Sequence, residues 1–595
     1  MSQQTYSLRR PFAALPIRRV LGGLAALVLT TPFLHAQQIP IVERRLPNGF
    51  KLLLLERRGE PRITGGWVAH VGSSNERPGI TGIAHLFEHM MFKGTPTLGT
   101  KDARRDQELI IEQERVRDQM RQEEVVLRAR LRHGETDDIT APESKTDRYH
   151  ELEVEFKKLL DEQRSLMVKN EFDRVYTLAG ASGMNAFTTE DMTGYFINVP
   201  ANKLELWAWM ESERLLRPVF REFYSERDVV FEERRMRIES RPTGKFQEQF
   251  TAMFWDAHPY NWPVIGWPSD IPAISKPQAD EFFRLYYQPQ NITLILVGDF
   301  ASAEAEATVG RYFGRIPAGT QPAPEVTTLE IPSYAEKRYN AEAETNPEVE
   351  IQWRTVAFQH RDSYALEVLQ QLLNGRTGRL YKGLVRGREV ATEVFANQDS
   401  KKWAGAFGIG AEVKDGHQPA EVENALYAEL EKLRSEPIPV EELQKVKNQF
   451  AAGEYRKLSA NFPIFIGILQ NEGFGDWQEI NEGGRKIQAV TAEDVQRVIG
   501  KYLKTENRAV ATYTRKAGPA APADADPDLA GLAADQLPAI RRVLTVIQAE
   551  TDLAKLKANL AAMEAQSGNA DPKRQQFQRI LKKKVAERIA ALEKK

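Results

Sequence analysis

His85 and His89 stand four residues apart with Glu88 between them, in the string His85-Leu86-Phe87-Glu88-His89. On an α-helix, side chains at positions i and i+4 share a face, so both imidazoles can point at one cation. A metal ion held there lowers the pKa of a bound water to about 7, and a neighbouring glutamate can take that water's proton. The product is a nucleophile able to attack a peptide carbonyl at neutral pH. The chain has no cysteine, which excludes thiolate metal sites, disulfides and lipid-modified cysteine, so a metal must rest on His and carboxylates. Two histidines leave a catalytic zinc under-coordinated, and one carboxylate from elsewhere would complete an open tetrahedral set. Glu232, Glu233 and Glu239 are the candidates. Adjacent glutamates on a helix point in different directions, so Glu232 and Glu233 are alternatives to each other.

A buried framework must hold these groups. Gly49–Leu55 and Thr64–Val71 read as two buried strands joined by a charged turn. A helix should follow, capped by Thr81, with Ile83, Ala84, Leu86, Phe87, Met90 and Met91 buried and Gly94 and Pro96 ending it. Residues 101–170 are densely charged, with Ile110, Val116, Met120 and Leu131 at helical spacing and a break from Gly134 to Pro142, the pattern of a projecting helical hairpin. Compact patterning returns with a strand at Thr193–Val199, helices over 204–215 and 226–239, a buried strand at Asn291–Gly298 and a helix over 303–313. A Pro- and Ala-rich linker over 316–324 follows. The second half repeats the pattern, with strands near 348–353 and 509–514 and a helix over 363–373, consistent with a diverged duplication.

The text around the histidines resembles the pitrilysin, insulysin and mitochondrial-processing-peptidase family of zinc metallopeptidases with the inverted motif. The resemblance runs through Val71-Gly72-Ser73-Ser74-Asn75-Glu76, Gly82–Thr95, Gly183-Met184-Asn185-Ala186-Phe187-Thr188, Glu226–Glu233, His258-Pro259-Tyr260 and Tyr287–Asn291, and covers roughly residues 40–515. It implies that Glu233 is the third zinc ligand and that Glu226, seven residues earlier, supports the site from the same helical face. It also implies that Glu88 is the catalytic base, and that Asn185 lies by an edge strand that aligns an extended substrate. In the second half, Arg386 matches a family arginine that helps bind substrate. The tyrosine expected seven positions later is replaced by Glu393. The interval from His89 to Glu233 is nearly twice the family's usual one, and the 101–170 insertion accounts for the excess.

The expected fold is therefore α+β: two related domains, each a β-sheet backed by helices in the manner of the mitochondrial processing peptidase, with a helical hairpin insertion and a helical C-terminal tail. The boundaries read as a signal peptide over 1–36, a catalytic domain over 37–318 with the insertion at 101–170, a homologous domain over 319–515, and an Ala/Pro linker with helical tail over 516–595. Arg9, Arg10, Arg18 and Arg19, a short apolar run from Val20 to Leu34 and Leu34-His35-Ala36 form the signal peptide, cleaved after Ala36. This points to a secreted or periplasmic protein with no stable membrane anchor. The composition, 42% hydrophobic and 28% charged over 595 residues, is that of a multidomain globular protein, and nothing in it suggests nucleic-acid binding. The expected function is a zinc endopeptidase with one Zn2+ per chain, acting on peptides or unfolded segments. As in half-length family members, it would pair with itself or with a related subunit that supplies the missing tyrosine. The alternative is a non-catalytic subunit that keeps the zinc fold for assembly.

Overall fold

The computed structural model describes residues 38–516, 537–565 and 572–593. The expected signal peptide over 1–36 and nearly all of the Ala- and Pro-rich stretch after Lys516 lie outside the described residues. The chain divides into two units, one running to Ala341 and resuming over Thr345–Thr514, the other made of Glu342–Glu344 and the chain from Arg515 on. The α+β expectation is met: the larger unit holds two sheets, each backed by helices.

The first sheet comprises β1 (Val42–Arg45), β2 (Lys51–Glu56), β3 (Arg62–Ala69), β4 (Ser182–Thr188), β5 (Thr193–Pro200) and β6 (Ile292–Gly298), in the order β1-β2-β6-β3-β5-β4. β2 and β6 run parallel, and the other neighbours pair antiparallel. Between β3 and β4 lie α1 (Ile83–Met90), α2 (Ala103–Arg132), α3 (Asp147–Leu166) and α4 (Glu171–Leu178); α5 (Leu204–Leu216) and α6 (Phe223–Arg234) follow β5. Successive strand residues point to opposite faces, and here both faces are covered, which is why Leu52–Leu55 reads as an unbroken apolar run. Leu52 and Leu54 pack with Ile83, Leu86 and Phe87 of α1 and Trp207 of α5. Leu53 and Leu55 pack instead with Ile464, Phe465, Ile468 and Leu469, from the helix Asn461–Phe474 in the second half of the chain.

The second sheet comprises β7 (Lys337–Ala343), β8 (Glu348–Thr355), β9 (Ala391–Ser400), β10 (Gly405–Val413) and β11 (Arg508–Arg515), in the order β7-β11-β8-β10-β9. Strand for strand this repeats β2-β6-β3-β5-β4, the topology of a duplication. Val349, Ile351 and Trp353 pack on the helices Arg361–Leu373 and Pro419–Ser435. Ala509, Ala511 and Tyr513 on the opposite face pack with Phe250 and Phe254 of the helix Gly244–Phe254, from the first half. Each half thus lays one helix on the far face of the other's sheet. Residues 319–336 between them contain no helix or strand.

The charged insertion forms the expected hairpin, α2 against α3 around Leu109, Val116, Met120, Leu152 and Leu159. Its base is tied down by Arg221, whose guanidinium is fully buried. Arg221 pairs with Asp106 of α2 at 2.7 Å and donates to the carbonyls of Lys93 (2.8 Å), Leu98 (3.0 Å) and Thr95 (3.2 Å). In the smaller unit, the helices Leu537–Ala549, Leu553–Ala565 and Pro572–Glu593 share an apolar core that includes Ile540, Leu556, Ile580 and Val585.

The start of α1 departs from expectation. Thr81 does not cap it; its hydroxyl donates to Asp270 (2.8 Å) and accepts from the Trp267 amide (2.9 Å). The cap is the buried Glu76 carboxylate, which accepts from the Gly82 amide at 2.9 Å and the Ala84 amide at 2.8 Å. Gly82, at φ +93°, passes so close to Ile265 and Gly266 that a β-carbon would meet the Ile265 carbonyl oxygen at 2.5 Å. That left-handed step swings the first helical amides away from Thr81 and toward Glu76. Glu76→Ala should therefore cost about 1–2 kcal/mol, read as a lower denaturation midpoint, while Glu76→Gln, which keeps an acceptor oxygen, should lose less.

Candidate metal centre

α1 is apolar almost all round, so its polar residues are displayed only where α6 and β4 leave room. His85 is buried and His89 and Glu88 are half-buried. α6 runs past this face and presents Glu233 near its end. Glu233 Oε2 lies 3.3 Å from His89 Nε2 and 3.9 Å from His85 Nε2. The three ligand atoms lie within 4.8 Å of one another, and no other group of three or more such residues stands as close among the described residues. Zinc bonds of about 2.0–2.2 Å from imidazole nitrogen and carboxylate oxygen suit separations of this size. The two other candidate ligands fall outside the set: Glu232 pairs with Arg235 at 2.9 Å on the exposed side, and Glu239 lies 4.0 Å from Arg234.

The surroundings fix how each group is presented. His89 Nδ1 faces Glu226 Oε1 at 3.0 Å, which leaves Nε2 turned toward Glu233. Orientation of a ligating histidine by a carboxylate on its other nitrogen is the usual support for a metal site. Glu226 is itself paired with Lys93, and Glu233 Oε1 with Arg237 at 2.7 Å. Burial, with the nearby His89 and Arg237, pushes His85 down to about 3, so it stands as a neutral imidazole with a lone pair to give. Burial works against a charged His89 too, yet the Glu226 hydrogen bond and the charges of Glu226, Glu233 and Glu88 outweigh it and raise its pKa. Burial likewise lifts Glu88 above the ordinary carboxylate value, although the 2.7 Å hydrogen bond from Thr188 opposes this. Three carboxylates converge on two imidazoles, with Lys93 and Arg237 on the outer side. The donor set thus has the hard and borderline ligands, and the surplus of negative charge, that suit a divalent cation.

Of the other expected residues, Asn185 lies on β4, the outermost strand of its sheet, opposite Phe196 of β5. Its side-chain oxygen accepts from the Ala186 amide at 2.9 Å. Arg386 is exposed in the helical turn Tyr381–Gly387 beside the second sheet and forms no hydrogen bond or ion pair within the described residues. Glu393 lies on β9, opposite Glu412. Sequence reasoning missed Thr188, Lys93 and Arg237. Lys93 is four residues after His89 and Arg237 four after Glu233, and that helical spacing was the available signal. It also missed the buried Arg214, which pairs with Glu211, donates to the Met91 carbonyl at 3.3 Å, and lies over the Trp67 and Tyr195 rings beneath α1.

Two family models match the chain: insulinase (peptidase family M16) over residues 52–114, and the peptidase M16 inactive domain over 273–450. The zinc protease PqqE of Helicobacter pylori is 24% identical over 498 residues, 82% of this chain and 96% of that protein. Among solved structures, a protease from Helicobacter pylori superposes with a TM-score of 0.65 at 22% identity, over 80% of this chain and all of that one. The periplasmic protease PqqL from Escherichia coli superposes with a TM-score of 0.59 at 16% identity, over 80% of this chain and 48% of that one. Both matching models are those of peptidase family M16, the family that the inverted motif resembles.

Removing the support of His89 should weaken metal binding without abolishing it. Glu226→Gln is expected to lower zinc affinity about 10–100-fold, measured by competition with a chromogenic chelator.

Proposed function

We propose that the chain is a zinc-dependent endopeptidase that hydrolyses peptides or unfolded segments. The observation that carries this is the convergence of His85, His89 and Glu233 with Glu88 one residue away on the same helix, next to an open sheet edge. His85 Nε2, His89 Nε2 and a Glu233 oxygen would hold the ion, one per chain. Zinc bound there supplies Lewis acidity, acidifying water and polarising a carbonyl.

The chain's own residues do the rest. Glu88, its pKa raised by burial, accepts a proton from the attacking water and passes it to the leaving nitrogen. The Thr188 hydroxyl, donating to Glu88 Oε2, steers the free oxygen toward the reacting centre. The outer edge of β4 at Asn185 offers unpaired backbone groups on which an extended substrate can form a further strand. Glu226 holds the His89 ring, and Lys93 holds Glu226.

Arg386 makes no hydrogen bond or ion pair with the groups of this centre. That, and a superposition that spans only 48% of PqqL, supports pairing with a second copy or a related half-length subunit that contributes from its own second half. The PqqL likeness and the basic, apolar start of the chain support export to the periplasm. Among the described residues, no helix is long and apolar enough to cross a membrane.

The test is hydrolysis of quenched peptides with zinc content measured in parallel. Glu88→Gln should keep zinc and lose about 10²–10⁴-fold or more in kcat/KM, and Glu233→Gln should lose the metal. Full zinc with no cleavage, alone or with a co-purified partner, would instead identify a non-catalytic subunit.

A further inference from the structure

The edge strand β4 ends at Thr188, the residue whose hydroxyl donates to Glu88. The turn over residues 189–192 that follows is closed by the Thr189 side chain, which accepts from the amides of Asp191 and Met192 at 3.2 Å each. How this turn sits decides where the Thr188 hydroxyl points. Two motifs to which the proposed chemistry gives no part, Val71-Gly72-Ser73-Ser74-Asn75-Glu76 and His258-Pro259-Tyr260, both converge on it.

The lead-in to α1 lies against one side of the turn. The Ser73 amide donates to the Thr189 carbonyl at 3.1 Å and the Ser74 amide to the Glu190 carbonyl at 2.8 Å. Gly72 passes so close to the Thr189 carbonyl oxygen that a β-carbon would not fit. The second half of the chain reaches the same turn through the connection between β9 and β10. There Lys401 pairs with Glu190 at 2.7 Å and with Asp399 at 3.1 Å.

Asp191 is where these segments meet. Its carboxylate is buried and accepts from the Tyr260 hydroxyl (2.8 Å), the Lys402 amide (3.0 Å) and the Ser74 hydroxyl (3.3 Å). The Tyr260 oxygen accepts in turn from the Trp403 amide at 3.1 Å, and the Tyr260 amide donates to His258 Nδ1 at 3.2 Å. Burial pushes the Asp191 carboxyl up, although the Lys402 amide and the Tyr260 hydroxyl oppose this. A buried carboxylate is costly to leave short of partners, so the loss of one of them displaces the turn rather than leaving the gap. One side chain thus refers the lead-in to α1, the end of β4 and a turn of the other half to a common point.

We propose that Asp191 is a positioning residue for Glu88, and that the second half of the chain, through residues 401–403 and Tyr260, acts on the reaction by holding the β4–β5 turn so that Thr188 stays aimed at the base. This rests on the peptidase reading, and the test separates the two. For quenched peptides, kcat and KM are measured together with zinc content and amide hydrogen exchange over residues 186–193. The chains compared are the wild type, Thr188→Val, Asp191→Asn, Tyr260→Phe, Lys401→Met and Lys401→Arg, with Thr188→Val also combined with Tyr260→Phe and with Lys401→Met. Tyr260→Phe deletes one buried oxygen; Lys401→Met removes only a side-chain charge and serves if the buried changes impair folding.

With zinc retained, Asp191→Asn, Tyr260→Phe and Lys401→Met should each lower kcat about tenfold or more and leave KM within about twofold, as a small displacement remote from the chemistry does. Lys401→Arg should keep most of the activity. On top of Thr188→Val, neither Tyr260→Phe nor Lys401→Met should cost more than about twofold further, because groups acting through one contact do not add. An unchanged kcat, a rise in KM alone, or losses that simply multiply with Thr188→Val would overturn the inference, since a general structural effect bypasses Thr188. If the wild type cleaves nothing, exchange decides. Protection lost over 186–193 in Tyr260→Phe and Lys401→Met keeps Asp191 as the anchor of Thr188 and removes the peptidase reading, whereas unchanged protection removes both.

Discussion

Everything at the centre of this molecule depends on keeping α1 and α6 at one fixed spacing. The donor atoms sit on two helices that are far apart in sequence, and a displacement of an ångström would take Glu233 out of reach of both imidazoles. The distance is set from several sides. Glu76 fixes where α1 begins, Arg214 holds its last turn from below, and Arg221 clamps the turn that follows. α6 is fixed by the hairpin, since Tyr224 packs edge-on against Phe156 of α3 and lies beneath the Arg117 guanidinium of α2. Polar groups in so apolar a setting are costly unless each has a partner. The network of Glu226, Lys93, Thr188 and Arg237 supplies those partners and presents the remaining lone pairs toward one point.

Much of this was legible in the residues themselves. The i, i+4 histidines define a shared helical face whatever surrounds them, and the apolar runs at Leu52–Leu55 and Ile292–Val297 announce strands buried on both faces. The hairpin was legible because a long amphipathic pattern with a single break has few other solutions. Glu233 was separable from Glu232 and Glu239 only through the family register, and the geometry distinguishes them by the partners each one meets. The cap on α1 was not legible: Thr81 has the right chemistry in the right place, and only the left-handed turn at Gly82, forced by the crossing with Gly266, hands the role to Glu76. The contacts of Arg221 and Arg214 were hidden for a different reason, because each joins segments whose proximity is a product of the finished fold.

The insertion shows how a family framework accommodates new material. Adding a long hairpin between α1 and the edge strand could have pried them apart. Instead its two roots are stitched together by backbone hydrogen bonds, and its interior forms a core of its own. The tolerance has a simple basis: the loop is closed at its base, so the strands on either side meet the same end-to-end distance that a short connection would impose.

The crossed placement of the helices Gly244–Phe254 and Asn461–Phe474 carries a mechanical consequence. Each half finishes its core with a piece of the other, so neither sheet can be fully dressed until both halves of the polypeptide exist, and the two should assemble in a single cooperative event late in synthesis. The same interlock forbids the halves from swinging apart about the segment that joins them. A chain built this way behaves as one stiff body, in which the distance between groups carried by the two halves is set once and kept.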